Sequence, residues 1–146
     1  MRKSDLLDQL RLEVGLAYDY SANSTDFMKK VLNAIYTTVN KKCMISIYQY
    51  NQHSNTYRRT FLLENGERTN TKEHFGLGFI KVCHLQASIL LKKNGEQATI
   101  APVYEDGILK YAICFNILES DYPITNQDLE FVNEVVRFIE AKRLTF

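Results

Sequence analysis

The sequence predicts an α+β fold in which a mostly antiparallel sheet carries long helices on one face. Three observations lead there. Two early stretches repeat apolar residues at helical spacing, the middle of the chain switches to short β-branched and aromatic runs between turn dipeptides, and the end returns to helical spacing. The order read along the chain is helix, helix, a strand pair, a short helix, three strands and a terminal helix.

The first helix spans Ser4 to about Tyr18, because Leu6, Leu10, Val14 and Ala17 share one face and Ser4 with Asp5 offers an N-terminal cap. The small and polar Tyr20–Asn23 stretch breaks it. The second helix runs from about Thr25 to Asn40, capped by Ser24 or Thr25, with Phe27, Met28, Val31, Leu32, Ile35 and Val39 apolar and Lys41 and Lys42 at its negative end. Cys43–Tyr50 and Tyr57–Leu63 read as a strand pair around the polar turn Asn51–Asn55. A polar loop over Glu64–Lys72 contains Asn65-Gly66. Gly76 and Gly78 then open a short helix within His74–Leu85, with Phe79, Val82 and Cys83 inward. Ser88–Leu91 and Gln97–Tyr104 are strands around the turn Asn94-Gly95, and Pro102 points to an edge or bulge position. Asp106-Gly107 is a hairpin dipeptide. The long apolar Leu109–Leu118 is expected at the centre of the sheet. After Tyr122-Pro123, the last helix covers Thr125 to about Leu144, with Thr125 and Asp128 spaced as a capping box.

The chain has 146 residues, which fits one domain. A chain of that size buries roughly two-thirds of its unfolded surface, enough for one core. Basic and acidic residues number 18 and 17, a net charge of +1, so no overall field recruits nucleic acid or an anionic membrane. The pair Arg58 and Arg59 is the one local basic candidate, and is read as a solvated strand face. No stretch has signal-peptide character, and no uncharged apolar run approaches the roughly 18 residues that cross a bilayer, so a cytoplasmic protein is expected. Cys43, Cys83 and Cys114 are odd in number and widely spaced, which argues for free thiols in a reducing compartment.

The segments Phe75–Ile80, Ala101–Gly107 and Pro123–Val132 together resemble the GAF domain family. Phe75-Gly76-Leu77-Gly78-Phe79-Ile80 is similar to the family's G-x-G-hydrophobic-hydrophobic opening of a short pocket helix. Ala101-Pro102-Val103-Tyr104-Glu105-Asp106-Gly107 is similar to its apolar-Pro-apolar strand and D-G turn. Pro123-Ile124-Thr125-Asn126-Gln127-Asp128-Leu129-Glu130-Phe131-Val132 is similar to the start of its terminal helix. The resemblance spans about Thr25 to Lys142. It implies a GAF/PAS-like sheet with the terminal helices on one face and the pocket helix on the other, and it divides the chain into an N-terminal helix over 1–22 and a GAF-like domain over 23–146. One departure is Tyr111, where the family often has glycine; a bulky side chain there argues against an open, cofactor-sized pocket. The cysteine of chromophore-binding members and the signature of cyclic-nucleotide binders are absent, so neither ligand class carries over.

Candidate chemistry is sparse. Free N–H groups at the Gly76-Leu77-Gly78-Phe79 turn suit an anion, and the resemblance implies a small anion or carboxylate there; the alternative is that the glycines only turn the chain. The thiol-dependent GAF enzyme that reduces free methionine sulfoxide places a cysteine shortly after its G-x-G, where this chain has Phe79 and Ile80, so the three thiols are read as structural. His53, His74 and His84 have no metal-ligand spacing; His53 belongs in a solvated turn and His74 at a pocket mouth. Tyrosine is abundant, with 9 copies and no tryptophan. Tyr48, Tyr104 and Tyr111 join the candidate ligand-binding residues, since a ring with a polar tip suits a mostly apolar pocket, while cross-strand packing explains the same pattern.

In the last helix, Leu129, Val132, Val136 and Ile139 form one stripe and Phe131, Val135 and Phe138 a second. The extra width predicts that something else packs there, either the N-terminal helix through Leu6, Leu10 and Val14 or, as the resemblance implies, a second copy in a dimer bundle. The expected function is a non-enzymatic sensory module without catalytic residues, metal or cofactor. It binds a small molecule or anion and signals through its terminal helices to a sensor kinase or transcription regulator. The alternatives are a ligand-free interaction scaffold and a thiol-dependent reductase.

Overall fold

The computed structural model describes residues 2–39, 43–54, 56–64, 89–93, 96–117, 123–143 and 145. Its elements are α1 (Lys3–Asp19), α2 (Ser24–Thr38), β1 (Cys43–Asn51), β2 (Thr56–Leu63), β3 (Ile89–Lys93), β4 (Glu96–Glu105), β5 (Ile108–Ile117) and α3 (Asn126–Arg143). The strands form one sheet in the order β2-β1-β5-β4-β3, with every neighbouring pair antiparallel. The expected short helix over His74–Leu85 lies outside the described residues, as do Lys41, Lys42 and the turn dipeptides Asn65-Gly66 and Asn94-Gly95.

Local chemistry sets most boundaries, with two corrections at helix starts. The cap of α2 is Asn23, one residue before the expected Ser24 or Thr25: its side chain accepts the Asp26 N–H at 2.8 Å, while the Asp26 carboxylate accepts from the Ala22 N–H. One open donor of the first turn and one N–H just before the cap are satisfied this way. For α1 the capping position falls to Arg2, whose side chain caps no backbone N–H and instead donates to the Asp5 carboxylate at 3.3 Å. Ser4 and Asp5 therefore sit inside the first turn, where the Asp5 charge complements the helix dipole. Half of the expected box at α3 is present: the Thr125 N–H donates to the Asp128 carboxylate at 2.8 Å, while the Asp128 N–H goes to the Thr125 carbonyl.

Turn chemistry closes two of the hairpins. The Asn51 side chain accepts the N–H groups of His53 and Ser54, holding the β1–β2 turn. Between β4 and β5, Asp106 (φ 53°) and Gly107 (φ 77°) both occupy the left-handed region that a two-residue hairpin needs. The described pairing of β3 ends at Ile100, so among the described residues β4 has only β5 beside it at Pro102. That is the edge-like place a residue without an N–H tolerates. β5, the most apolar strand, is central.

All three helices pack on one face. The core there joins Leu7, Leu10 and Val14 of α1, Phe27, Val31 and Leu32 of α2, and Val132, Val136 and Ile139 of α3 to Ile45, Ile47, Val103 and Ile113 of the sheet. The division expected at residue 22 is therefore not a division of the core. The second stripe of α3 also turns inward: Phe131 and Val135 are buried, and Phe138 meets Phe27 edge-on at 5.4 Å between centroids. Its width serves the seat of α1 and α2 rather than a surface left over for a partner. At the outer end of this layer the Lys3 ammonium lies 2.7 Å from the Asp128 carboxylate, both largely covered, and also donates to the Pro123 carbonyl. This contact ties the start of α1 to the cap of α3.

Candidate functional site

The other face of the sheet is built by strands alone among the described residues. Tyr48, Ile100, Leu109, Ala112 and Cys114 form a second buried cluster, with Tyr50, Tyr57 and Tyr104 against it. Strand alternation brings Ser46 to the same face, since Ser46 pairs with Cys114 across β1 and β5. Ser46 is 1% exposed and Tyr48 3%. A hydroxyl, a phenol and a thiol are thus withdrawn from water on a surface otherwise made of Ile100, Ala112 and Leu109. Polar groups in such surroundings form stronger directed hydrogen bonds than they do in water.

Two bulges decide which side chains reach this face. Between β4 and β5 the pairing passes from Val103–Tyr111 to Tyr104–Leu109, leaving Lys110 as an extra residue. The shift sends Leu109 to the second face and Tyr111 to the helix face, where it packs against the main core. Of the three tyrosines expected together, Tyr48 and Tyr104 share a face and Tyr111 does not. Tyr111 therefore neither lines nor fills space on the second face, contrary to the expectation that it blocks a pocket there. Between β1 and β2 the pairing passes from Ile47–Phe61 to Tyr48–Arg59, with Thr60 extra. Phe61 and Leu63 turn to the helices, while Arg59 comes to stand beside Tyr48, half-buried. Arg59 is thus not the solvated arginine that the strand pattern predicts; the run YRRTFLL carries no mark of the bulge that moves it.

The remaining expected site residues, His74, Gly76, Leu77, Gly78 and Phe79, lie outside the described residues, as does Cys83. His53 is exposed in the β1–β2 turn. The two described thiols are separated by the sheet. Cys43 is on the helix face, where burial pushes its thiol up to about 12, and Cys114 is on the second face. Among the described residues no group of three His, Cys, Asp or Glu side chains is placed to hold a metal ion, and no helix is long and apolar enough to cross a membrane.

No protein-family model and no curated protein matches the sequence. Solved structures do match over nearly the whole chain. The GAF domain of a phosphoenolpyruvate-protein phosphotransferase from Acinetobacter superposes with a TM-score of 0.69 at 14% identity, covering 99% of this chain and 96% of that one. The GAF domain of the corresponding protein from Coxiella burnetii gives 0.67 at 15% identity, with the same coverage. The fRMsr of Staphylococcus aureus, in its reduced form, gives 0.61 at 13% identity over 96% of this chain and 94% of that one. With its helices on one face of an antiparallel sheet and its second face built of strands, this chain has the GAF-domain fold.

Proposed function

We propose that the protein is a sensory or regulatory module that binds a small molecule or anion on the second face of the sheet. One observation carries this reading: Ser46, Tyr48, Arg59 and Cys114 converge on that face, three of them buried and one a half-buried cation. An apolar surface with a few directed polar groups is the usual make-up of a small-ligand site. Arg59 supplies the charge for an anionic group, and the N–H donors expected from the sequence at Gly76 and Gly78 fit the same ligand class. Tyr104 joins Tyr48 as an aromatic wall. The GAF domains of phosphotransferases share the fold as parts of larger proteins, in keeping with a module whose output comes from a partner such as a sensor kinase or transcription regulator.

The module acts as a homodimer in this reading. Leu12, Leu16 and Tyr20 lie one helical turn apart on the outside of α1 and are 62%, 42% and 74% exposed. Binding that shifts α1 against α3 changes how this stripe is presented. Sedimentation of Leu12→Ser/Leu16→Ser against the unchanged protein checks the dimer, with a monomeric variant expected.

Ligand binding is checked by thermal shift against a metabolite and anion library. At least one compound raises the midpoint, and Arg59→Leu or a bulky replacement of Gly78 removes the effect. A protein without any shift that nonetheless captures a partner is the scaffold. The fRMsr neighbour keeps a thiol-dependent reading in view. Methionine sulfoxide turnover lost in Cys83→Ser or Cys114→Ser identifies the reductase, and absence of turnover retires it.

A further inference from the structure

A second place on the molecule, at the hairpin end of the sheet, has the chemistry of an anion site. A half-open groove of about 480 Å³ runs between the β1–β2 turn and the start of β5. Its walls include His53, Arg58 and Lys110, the neutral Gln49 and Asn51, and the apolar Ile108. Among the described residues no carboxylate lines it, and Arg58 and Lys110 form no ion pair. The helical layer differs, for Lys3, Arg11 and Lys30 each sit against a carboxylate there.

The sheet explains why these cations meet. Arg58 pairs with Gln49 on β1, and Gln49 pairs with Tyr111 on β5, next to the bulged Lys110. Neighbouring strands lie about 4.8 Å apart, so the two backbones are roughly 10 Å apart across Gln49. Long flexible side chains on either side of that gap can close on one small anionic group. The bulge matters because it frees Lys110 from the strand alternation that governs its neighbours. Like charges held together with no counter-ion repel one another, and a groove concentrates their field. A ligand carrying negative charge relieves that repulsion. The volume suits a small molecule, and Ile108, 44% exposed, offers a shelf for its less polar part.

We propose that this groove binds a soluble phosphate-bearing small molecule through Arg58, Lys110 and His53, with the amides of Gln49 and Asn51 donating to its remaining oxygens. The groove lies at the hairpin end of the strands and shares Tyr50 and Leu109 with the second-face cluster, but its cations Arg58, Lys110 and His53 are not part of that cluster.

Calorimetric titration with inorganic tripolyphosphate tests it. Binding that weakens with added salt is expected, with a loss of about tenfold or more in Arg58→Gln/Lys110→Gln, as charge-assisted hydrogen bonds imply. Both residues are exposed, so the double variant should melt with the unchanged protein. If it does not, Lys110→Gln alone is read in its place. The Arg59→Leu variant retains tripolyphosphate binding, which separates this site from the one on the second face. Absence of binding, equal binding by the double variant, or equally tight binding of a penta-glutamate peptide overturns the proposal; the last result means unspecific attraction of negative charge.

Discussion

On the helix face of the sheet, Ile45, Ile47, Val103 and Ile113 meet apolar side chains from three helices, and the aromatic contacts Tyr18–Phe27 and Phe27–Phe138 close the layer. On the opposite face the same strands bury Ser46, Tyr48 and Cys114 beside Ile100 and Ala112. Both faces exclude water and both bury polar groups, the first holding Tyr36, Cys43, Thr99 and Gln97, whose side-chain oxygen accepts the Ile124 N–H. Burying a hydroxyl or a phenol costs free energy unless it is hydrogen-bonded. The difference lies in what covers them: three helices cover the first face, while among the described residues strands alone build the second, where the ligand is proposed to bind.

The largest expected effect tests the first half of that contrast. Phe27 is fully buried among α1, α3 and the sheet, and Phe27→Ala should cost about 3–5 kcal/mol, read from urea unfolding. A loss below about 1 kcal/mol would show that the helical layer is not the main source of stability. Next comes Asp128→Ala, which removes the acceptor of the Thr125 N–H and leaves the Lys3 ammonium without its carboxylate. A loss of about 1–3 kcal/mol is expected, and Asp128→Asn, which preserves the acceptor, should recover part of it.

The second face is probed by enlarging it. Ala112 is fully buried in the middle of that face. In a filled core, Ala112→Leu costs about 1–3 kcal/mol through overpacking. Where space is kept for a ligand, the loss is below about 1 kcal/mol and the ligand-induced thermal shift disappears. An overpacking-sized loss would make the two faces alike and favour the scaffold.

The smallest effect compares the two thiols. Burial pushes Cys43 up to about 12 from an ordinary 9.0, so the folded state keeps its thiol neutral while the unfolded chain ionises. Its stabilising contribution is therefore complete below about pH 9 and is lost as pH rises toward about 12. A urea midpoint that falls over that window, and falls less in Cys43→Ala, is the expected result. In alkylation at pH 8, Cys114 should label ahead of Cys43 and be protected by a second-face ligand. Equal protection of both without ligand would mean that the faces are equally sealed.

Much of this architecture is legible residue by residue. Helical spacing marks α1, α2 and α3, and the Thr125–Asp128 pair marks the start of α3, because capping and amphipathicity act over a single turn. Asp106-Gly107 marks its hairpin because its backbone angles exclude most other residues. The same locality explains the near miss at α2, where Asn23, Ser24 and Thr25 can all cap and only the chain path selects Asn23.

Facing is another matter. A period of two assigns every residue of a strand to a side only if the pairing register is unbroken, and here it is broken at Lys110 and Thr60. Each extra residue inverts the facing of its strand from that point on, sending Tyr111 to the helices and Arg59 to the second face. Bulges arise from the pairing of two distant segments, so neither segment carries the signal alone. The chain's own chemistry thus settles the elements, their order and the tight turns, since those depend on neighbours in sequence. Register, the inward turn of both stripes of α3, and the separation of Tyr111 from Tyr48 and Tyr104 are settled only when the strands and helices meet.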